Sequence, residues 1–139
     1  MAKTKIIGET KDAGFQFGLR KTFNIPYEEV WDFMFSANGL KLWLGLLANE
    51  LAEKEYYKTK EGTEGEIRLI KEHSHIRLTW KKKGWDNVSQ LQVRIISNNG
   101  KTVISFHHDH LLDGDQRSEM DVHWNRVMEK ISKELENKS

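Results

Sequence analysis

Residues 15–39 read FQFGLRKTFNIPYEEVWDFMFSANG, and within them the hydrophobic period changes once. Phe15, Phe17, Leu19, Phe23 and Ile25 share one parity; Gln16, Gly18, Arg20, Thr22 and Asn24 share the other. Strict alternation with aromatic residues predicts a half-buried strand, broken on its apolar face only by Lys21. At Pro26 the period switches. Proline suits a helix start because its missing N–H has no partner to lose there. Glu28 and Glu29 follow where acids complement the helix dipole. Tyr27, Val30, Trp31 and Met34 then fall at helical spacing, and residues 36–39 are expected to stop this short helix. Leu40, Trp43 and Leu44 predict a second short helix ending at Gly45.

Beyond it, residues 46–60 favour neither state strongly, with a strand plausible around Tyr56 and Tyr57. Four clearer strands follow. Residues 64–71 carry Ile67 and Leu69. Ile76, Leu78 and Trp80 alternate with polar residues, as do Leu91, Val93 and Ile95, and then Thr102, Ile104, Phe106 and His108 alternate with Val103, Ser105, His107 and Asp109. Short links separate them, so they are expected to form an antiparallel meander. The last element is a helix over about 115–135, capped by Asp113 or Asp115. Met120, Trp124, Val127, Met128, Ile131 and Leu135 make one apolar stripe on it.

A sheet with one apolar face must cover it, and the final helix is the only element long enough. The expected fold is therefore α+β: a curved antiparallel sheet of about six strands gripping a long C-terminal helix, with two short helices after the first strand. A sheet bent round a helix can leave a cavity between the two.

Composition bounds the function. The 139 residues and 16.3 kDa suit one domain over 1–139, with an ordered core of about 15–136. Lys+Arg is 22 and Asp+Glu is 21, a net charge of +1, which argues against a dedicated nucleic-acid binder. The absence of cysteine excludes disulfides, thiolate metal sites and cysteine nucleophiles. No apolar run approaches the roughly 20 residues of a membrane span. Residues 1–14 are polar and lack a signal-peptide core. The expectation is a cytoplasmic protein with no membrane insertion, a monomer or weak homodimer.

The run Phe23, Asn24, Ile25, Pro26, Tyr27, Glu28, Glu29, Val30, Trp31, followed by Gly39, Leu40 and Trp43, resembles the entry motif of the helix-grip superfamily (SRPBCC). That superfamily contains the START lipid-transfer domains, the birch-pollen-allergen proteins and the polyketide cyclases. The chain is most similar to the branch of homologues of the activator of heat-shock-protein-ninety ATPase. Three stretches carry this: residues 62–67; residues 76–80 with Gly84, Trp85 and 89–91; and residues 101–106 with His108 and Leu111. The resemblance spans about 15–136. It implies a ligand-sized pocket between sheet and final helix, and no invariant catalytic set. The eukaryotic activators carry a separate N-terminal domain. Here only a polar tail precedes Phe15, which counts against a chaperone partner.

Several clusters could carry chemistry. On a regular strand His108 and His110 would share one face, and His107 and Asp109 the other. That split argues against a metal site, and none is expected. His108 continues the inward face of Ile104 and Phe106, where it could be a core residue, a ligand hydrogen-bonder or a general base. His73 and His75 flank a turn and read as solvent residues. Lys81, Lys82 and Lys83 before Trp85 could meet phosphates, but a solvated hairpin explains them as well, and no nucleic acid is expected. There is no nucleophile elbow, phosphate-binding loop or dinucleotide fingerprint. Glu50, Glu53, Glu55, Asp113 and Asp115 fall at surface-like positions. No catalytic residue and no cofactor is assigned.

The reading is a protein that binds an apolar or amphipathic small molecule. Its pocket lining is expected from Trp43, Tyr57, Trp80, Phe106, His108 and Trp124. The alternatives are a hydrolase or cyclase using the same cavity, or an interaction module acting on a chaperone ATPase. A dry apolar cavity favours the binder, a deep polar dyad the enzyme, and a filled core with an exposed apolar patch the interaction module.

Overall fold

The structure is a computed structural model, and it describes residues 9–10 and 14–138. Ten elements follow in chain order: β1 (Glu9–Thr10), β2 (Gly14–Phe23), α1 (Tyr27–Met34), α2 (Ala37–Trp43), β3 (Tyr56–Lys58), β4 (Glu64–Lys71), β5 (His75–Trp80), β6 (Ser89–Asn98), β7 (Lys101–Leu111) and α3 (Gly114–Lys138). The strands form one antiparallel sheet in the order β1-β2-β7-β6-β5-β4-β3. Six are the expected strands, and the two-residue β1 adds a seventh at the edge. This is the helix-grip arrangement of a curved sheet around a long C-terminal helix.

α3 begins where Asp113 accepts from the Gln116 N–H at 2.9 Å, the side-chain cap expected of an aspartate. The stripe from Met120 to Leu135 is buried as its spacing requires. Trp124 stacks on Phe106 of β7 with centroids 4.5 Å apart. Lys21, the polar break in the face of β2, reaches α3 with its ammonium, donating to Ser132 Oγ at 2.7 Å. It lies 3.8 Å from Glu136. Its stem stays at the rim while its charge meets polar partners, as long cationic side chains do. Among the described residues no helix is long and apolar enough to cross a membrane.

Four local expectations are corrected. Residues 36–39 do not stop α1 so much as start α2: Ser36 caps that helix, accepting from the Gly39 N–H at 3.1 Å. Gly39 lies inside α2 because a Cβ there would collide with the Phe33 carbonyl. The second correction is in β4. Its pairing with β5 slips between Ile67 and Leu69, so that Ile67 faces Leu78 while Ile70 faces Ile76. The extra residue turns Ile70, not Leu69, toward the core.

A similar bulge interrupts β7 against β2, where Phe17 pairs with His108 but Phe15 pairs with Leu111. His110 takes φ +58°, and Leu111 recovers the inward parity. His108 and His110 therefore do not share a face. Finally, His73 is exposed, but His75, on β5 between β4 and β6, is buried, with Ser74 Oγ 2.8 Å from its Nδ1. Burial lowers its pKa, and Arg94, Arg77 and Lys71 add to the shift.

Candidate functional site

Four of the six expected lining residues converge under α3. Trp80, Phe106, His108 and Trp124 are all at most 2 % exposed. Trp124 meets Phe106 at 4.5 Å, Trp80 at 5.3 Å and His108 at 6.0 Å between centroids. The rings fill the space between sheet and helix where a pocket was expected. Trp43 and Tyr57 stand apart from this cluster. Trp43 is spent on the helix pair, its indole N–H donating to the Met34 carbonyl at 2.8 Å. Tyr57 donates to the Thr79 carbonyl at 2.6 Å, and its pKa is raised by burial, with Tyr56 and Glu64 adding to it.

Both ring nitrogens of His108 find partners inside the cluster. Trp124 Nε1 donates to His108 Nδ1 at 3.1 Å. Ser89 Oγ lies 2.7 Å from His108 Nε2 and 2.6 Å from the Trp80 carbonyl. An indole nitrogen only donates and a carbonyl only accepts. The serine hydrogen must therefore go to the carbonyl, and the serine oxygen must accept from Nε2–H. Every proton is placed with His108 neutral. Burial pushes its pKa down to about 3, with His123 and His107 adding to the effect. A base whose lone pair is already taken by Trp124, in a site closed to water, is poorly placed to accept a proton from a substrate.

His123 completes the cluster and was not singled out from sequence. Its ring meets Trp80 at 5.7 Å and Trp124 at 4.6 Å. Its pKa is lowered to about 4, chiefly by burial, with Lys82, Arg126 and Lys130 contributing to the shift and Glu119 opposing it. Neither His123 Nε2 nor Trp80 Nε1 finds a hydrogen-bond partner among the described residues. The sequence signal was weak: one histidine beside Trp124 at the edge of the apolar stripe.

Open space lies elsewhere. A cleft of about 560 Å³ runs between α1, α2, the strap 45–51 and β4, within the usual size of small-molecule sites. Trp31, Phe35, Leu40, Leu47, Leu51 and Ile70 supply apolar wall, with Asn49 and Glu50 at its polar end. None of the six expected lining residues borders it. Trp43 is nearest in role, holding Phe35 edge-on at 6.2 Å from behind. Ile70 reaches the cleft through the β4 bulge.

The strap is held at both ends of its first turn. Gly45 leaves α2 at φ +136°, against the side chain of Thr59. Leu46 N–H donates to Glu61 Oε1 at 3.1 Å, Lys60 N–H donates to the Leu46 carbonyl at 2.9 Å, and Leu47 bridges to Thr59. The sequence did contain a trace of this wall. Residues 42–48, LWLGLLA, are too apolar for an ordinary exposed loop.

Comparison with known proteins agrees with this fold. The family described as Activator of Hsp90 ATPase homolog 1-like protein matches residues 24–136. A search among curated proteins with the sequence finds no match. Among solved structures, CalU16 from Micromonospora echinospora aligns with a TM-score of 0.75 at 18% identity, covering 88% of this chain and 76% of that one. PFC0360w from Plasmodium falciparum, described as an HSP90 activator, aligns at 0.74 and 21%, covering 88% and 96%. The Aha1 dimer from Colwellia psychrerythraea aligns at 0.71 and 11%, covering 86% and 95%. At these identities the likeness is one of fold.

Proposed function

The chain belongs to the Activator of Hsp90 ATPase homolog 1-like protein family, and we propose that it binds an apolar or amphipathic small molecule in the cleft between α1, α2, the strap and β4. The observation that supports this is the cleft itself: about 560 Å³, walled by aromatic and aliphatic side chains, with a few polar groups at one end. The sheet–helix interface offers less, because the rings of Trp80, Phe106, His108 and Trp124 occupy it. The closed hydrogen-bond network of His108 favours binding over catalysis at that histidine.

Titration with N-phenyl-1-naphthylamine, a neutral fluorophore that brightens in apolar surroundings, tests the reading. Saturable enhancement is expected, with quenching of Trp31 in the wall. Leu47→Glu should abolish both. A linear, unsaturable response in the wild-type chain would sink the proposal.

A second reading is modulation of a chaperone ATPase, supported by the family and by the HSP90 activator among the structural neighbours. Leu46, in the lining of the cleft, is 44% exposed, an apolar contact that a protein partner could cover. Stimulation of a chaperone's ATP turnover by the wild-type chain, lost in Leu46→Asp, would favour it over the small-molecule reading.

A further inference from the structure

The apolar cleft does not stop at the strap. Leu46, Leu47 and Ala48 also line an adjoining groove whose other wall is Lys58, Thr59 and Lys60. Those three residues in turn border a groove of about 410 Å³ that continues past Lys81, Lys82 and Lys83 to Trp85. Two hairpin turns meet there, β3–β4 and β5–β6, joined where Glu64 and Lys81 exchange backbone hydrogen bonds of 3.0 and 2.8 Å. Their proximity brings together five lysines that the sequence holds in two separate groups.

The charges do not cancel. Lys58 lies 3.9 Å from Glu64, and Lys82 pairs with Glu119 of α3. Glu61 is engaged by the Leu46 N–H. Lys60, Lys81 and Lys83 make no ion pair among the described residues. Near-neutral net charge thus hides a local excess of positive charge next to an apolar cleft. Lysine ammonium groups recognise carboxylate, phosphate or sulfonate as point charges, with little demand on geometry.

We infer that the ligand is an amphipathic anion. Its apolar part lies in the cleft, and its acidic head crosses the strap at residues 46–48 to meet the lysines, Lys60 first and Lys81 and Lys83 beyond. This rests on the cleft being a binding site, and the test separates the two claims.

N-phenyl-1-naphthylamine and its 8-sulfonate share one skeleton and differ only in the anionic group. Both are titrated by fluorescence into the wild-type chain and into Lys60→Glu/Lys83→Glu. Both lysines are exposed, so the variant is expected to fold, and its melting temperature checks this. The sulfonate should bind about tenfold more tightly at low salt and displace the neutral probe. The advantage should vanish in the variant and shrink with added salt, while neutral-probe affinity stays unchanged. Displacement by laurate against dodecyl phosphate then identifies the preferred head, with dodecanol expected to compete more weakly than either. Equal affinities, an advantage that survives charge reversal, failure of the two probes to compete, or no displacement by either acid would overturn the inference while leaving the cleft reading intact. If the neutral probe does not bind at all, the cleft reading fails and the inference fails with it.

Discussion

The indole N–H of Trp124 on α3 donates to Nδ1 of His108 on β7 at 3.1 Å, and this bond determines which nitrogen of the histidine carries its proton. With Nδ1 accepting, the hydrogen sits on Nε2 and points at Ser89, whose own hydrogen goes to the Trp80 carbonyl. Helix α3 and the adjacent strands β7, β6 and β5 are joined by one chain of three hydrogen bonds.

Two substitutions separate packing from hydrogen bonding at that point. Trp124→Ala should cost about 3–5 kcal/mol, as for other aromatic-to-alanine changes in a core. Trp124→Phe keeps the contact with Phe106 and removes only the donor. It should cost about 1–3 kcal/mol, the desolvation of an unpaired ring nitrogen. Urea denaturation of both variants measures this. A Trp124→Phe protein as stable as the wild type would show that the bond contributes nothing.

Acid should destabilise the protein earlier than its carboxylates require. Folded pKa values of about 3 for His108 and about 4 for His123 lie below the 6.5 of an unfolded histidine. Between those values the unfolded chain binds protons that the folded chain refuses. Stability contributed by the neutral rings is complete above 6.5 and is lost as pH falls through the window from 6.5 to about 4 and 3. The slope reaches about 1.4 kcal/mol per pH unit for each histidine. The groups facing the pair are His107, Lys82, Arg126, Lys130 and the opposing Glu119. His123→Leu removes a ring nitrogen that has no partner. It should leave neutral-pH stability nearly unchanged and flatten the dependence between pH 6 and 4. An unchanged slope in that variant would refute the assignment.

Gly39→Ala sets helix propensity against packing. Alanine is favoured over glycine by about 1 kcal/mol inside a helix. At residue 39 the added methyl would strike the Phe33 carbonyl, which is backbone and cannot swing away. A net loss of about 1–3 kcal/mol is expected, the usual range for overpacking. A rise in melting temperature would mean that α1 and α2 separate freely.

Gly45→Ala tests the strap. The residue sits at φ +136°, and its Cβ would fall 2.8 Å from Thr59 Cβ. Loosening the strap should weaken N-phenyl-1-naphthylamine about fivefold or more while costing only about 1–2 kcal/mol in global stability. Unaltered probe affinity would show that the strap does not shape the cleft.

By itself the sequence determined the elements and their faces. Alternation in residues 15–25 and 76–80, and the stripe from Met120 to Leu135, depend on each residue's near neighbours in the chain, and periods of 2 and 3.6 can be counted there. From these alone one sheet face and one helix face were left to cover each other, and the helix-grip layout followed. Tertiary structure decided where that counting breaks. The bulges that turn Ile70 inward and His110 outward exist only in the pairing of β4 with β5 and of β7 with β2. A one-residue slip reverses every face after it.

The site depended on the same kind of information. Parity correctly turned Trp80, Phe106 and His108 toward α3, but whether large inward residues leave a hole or fill it is a matter of volume, which pattern does not carry. Four rings occupy that space, Trp124 lying 4.5–6.0 Å from Phe106, Trp80 and His108, and Trp80 lying 5.6 Å from His108. The cleft opens instead where Trp31, Ile70 and Leu47 of the strap, remote in the chain, line one space, and the lysines of two hairpins become one charged surface only when β4 and β5 pair.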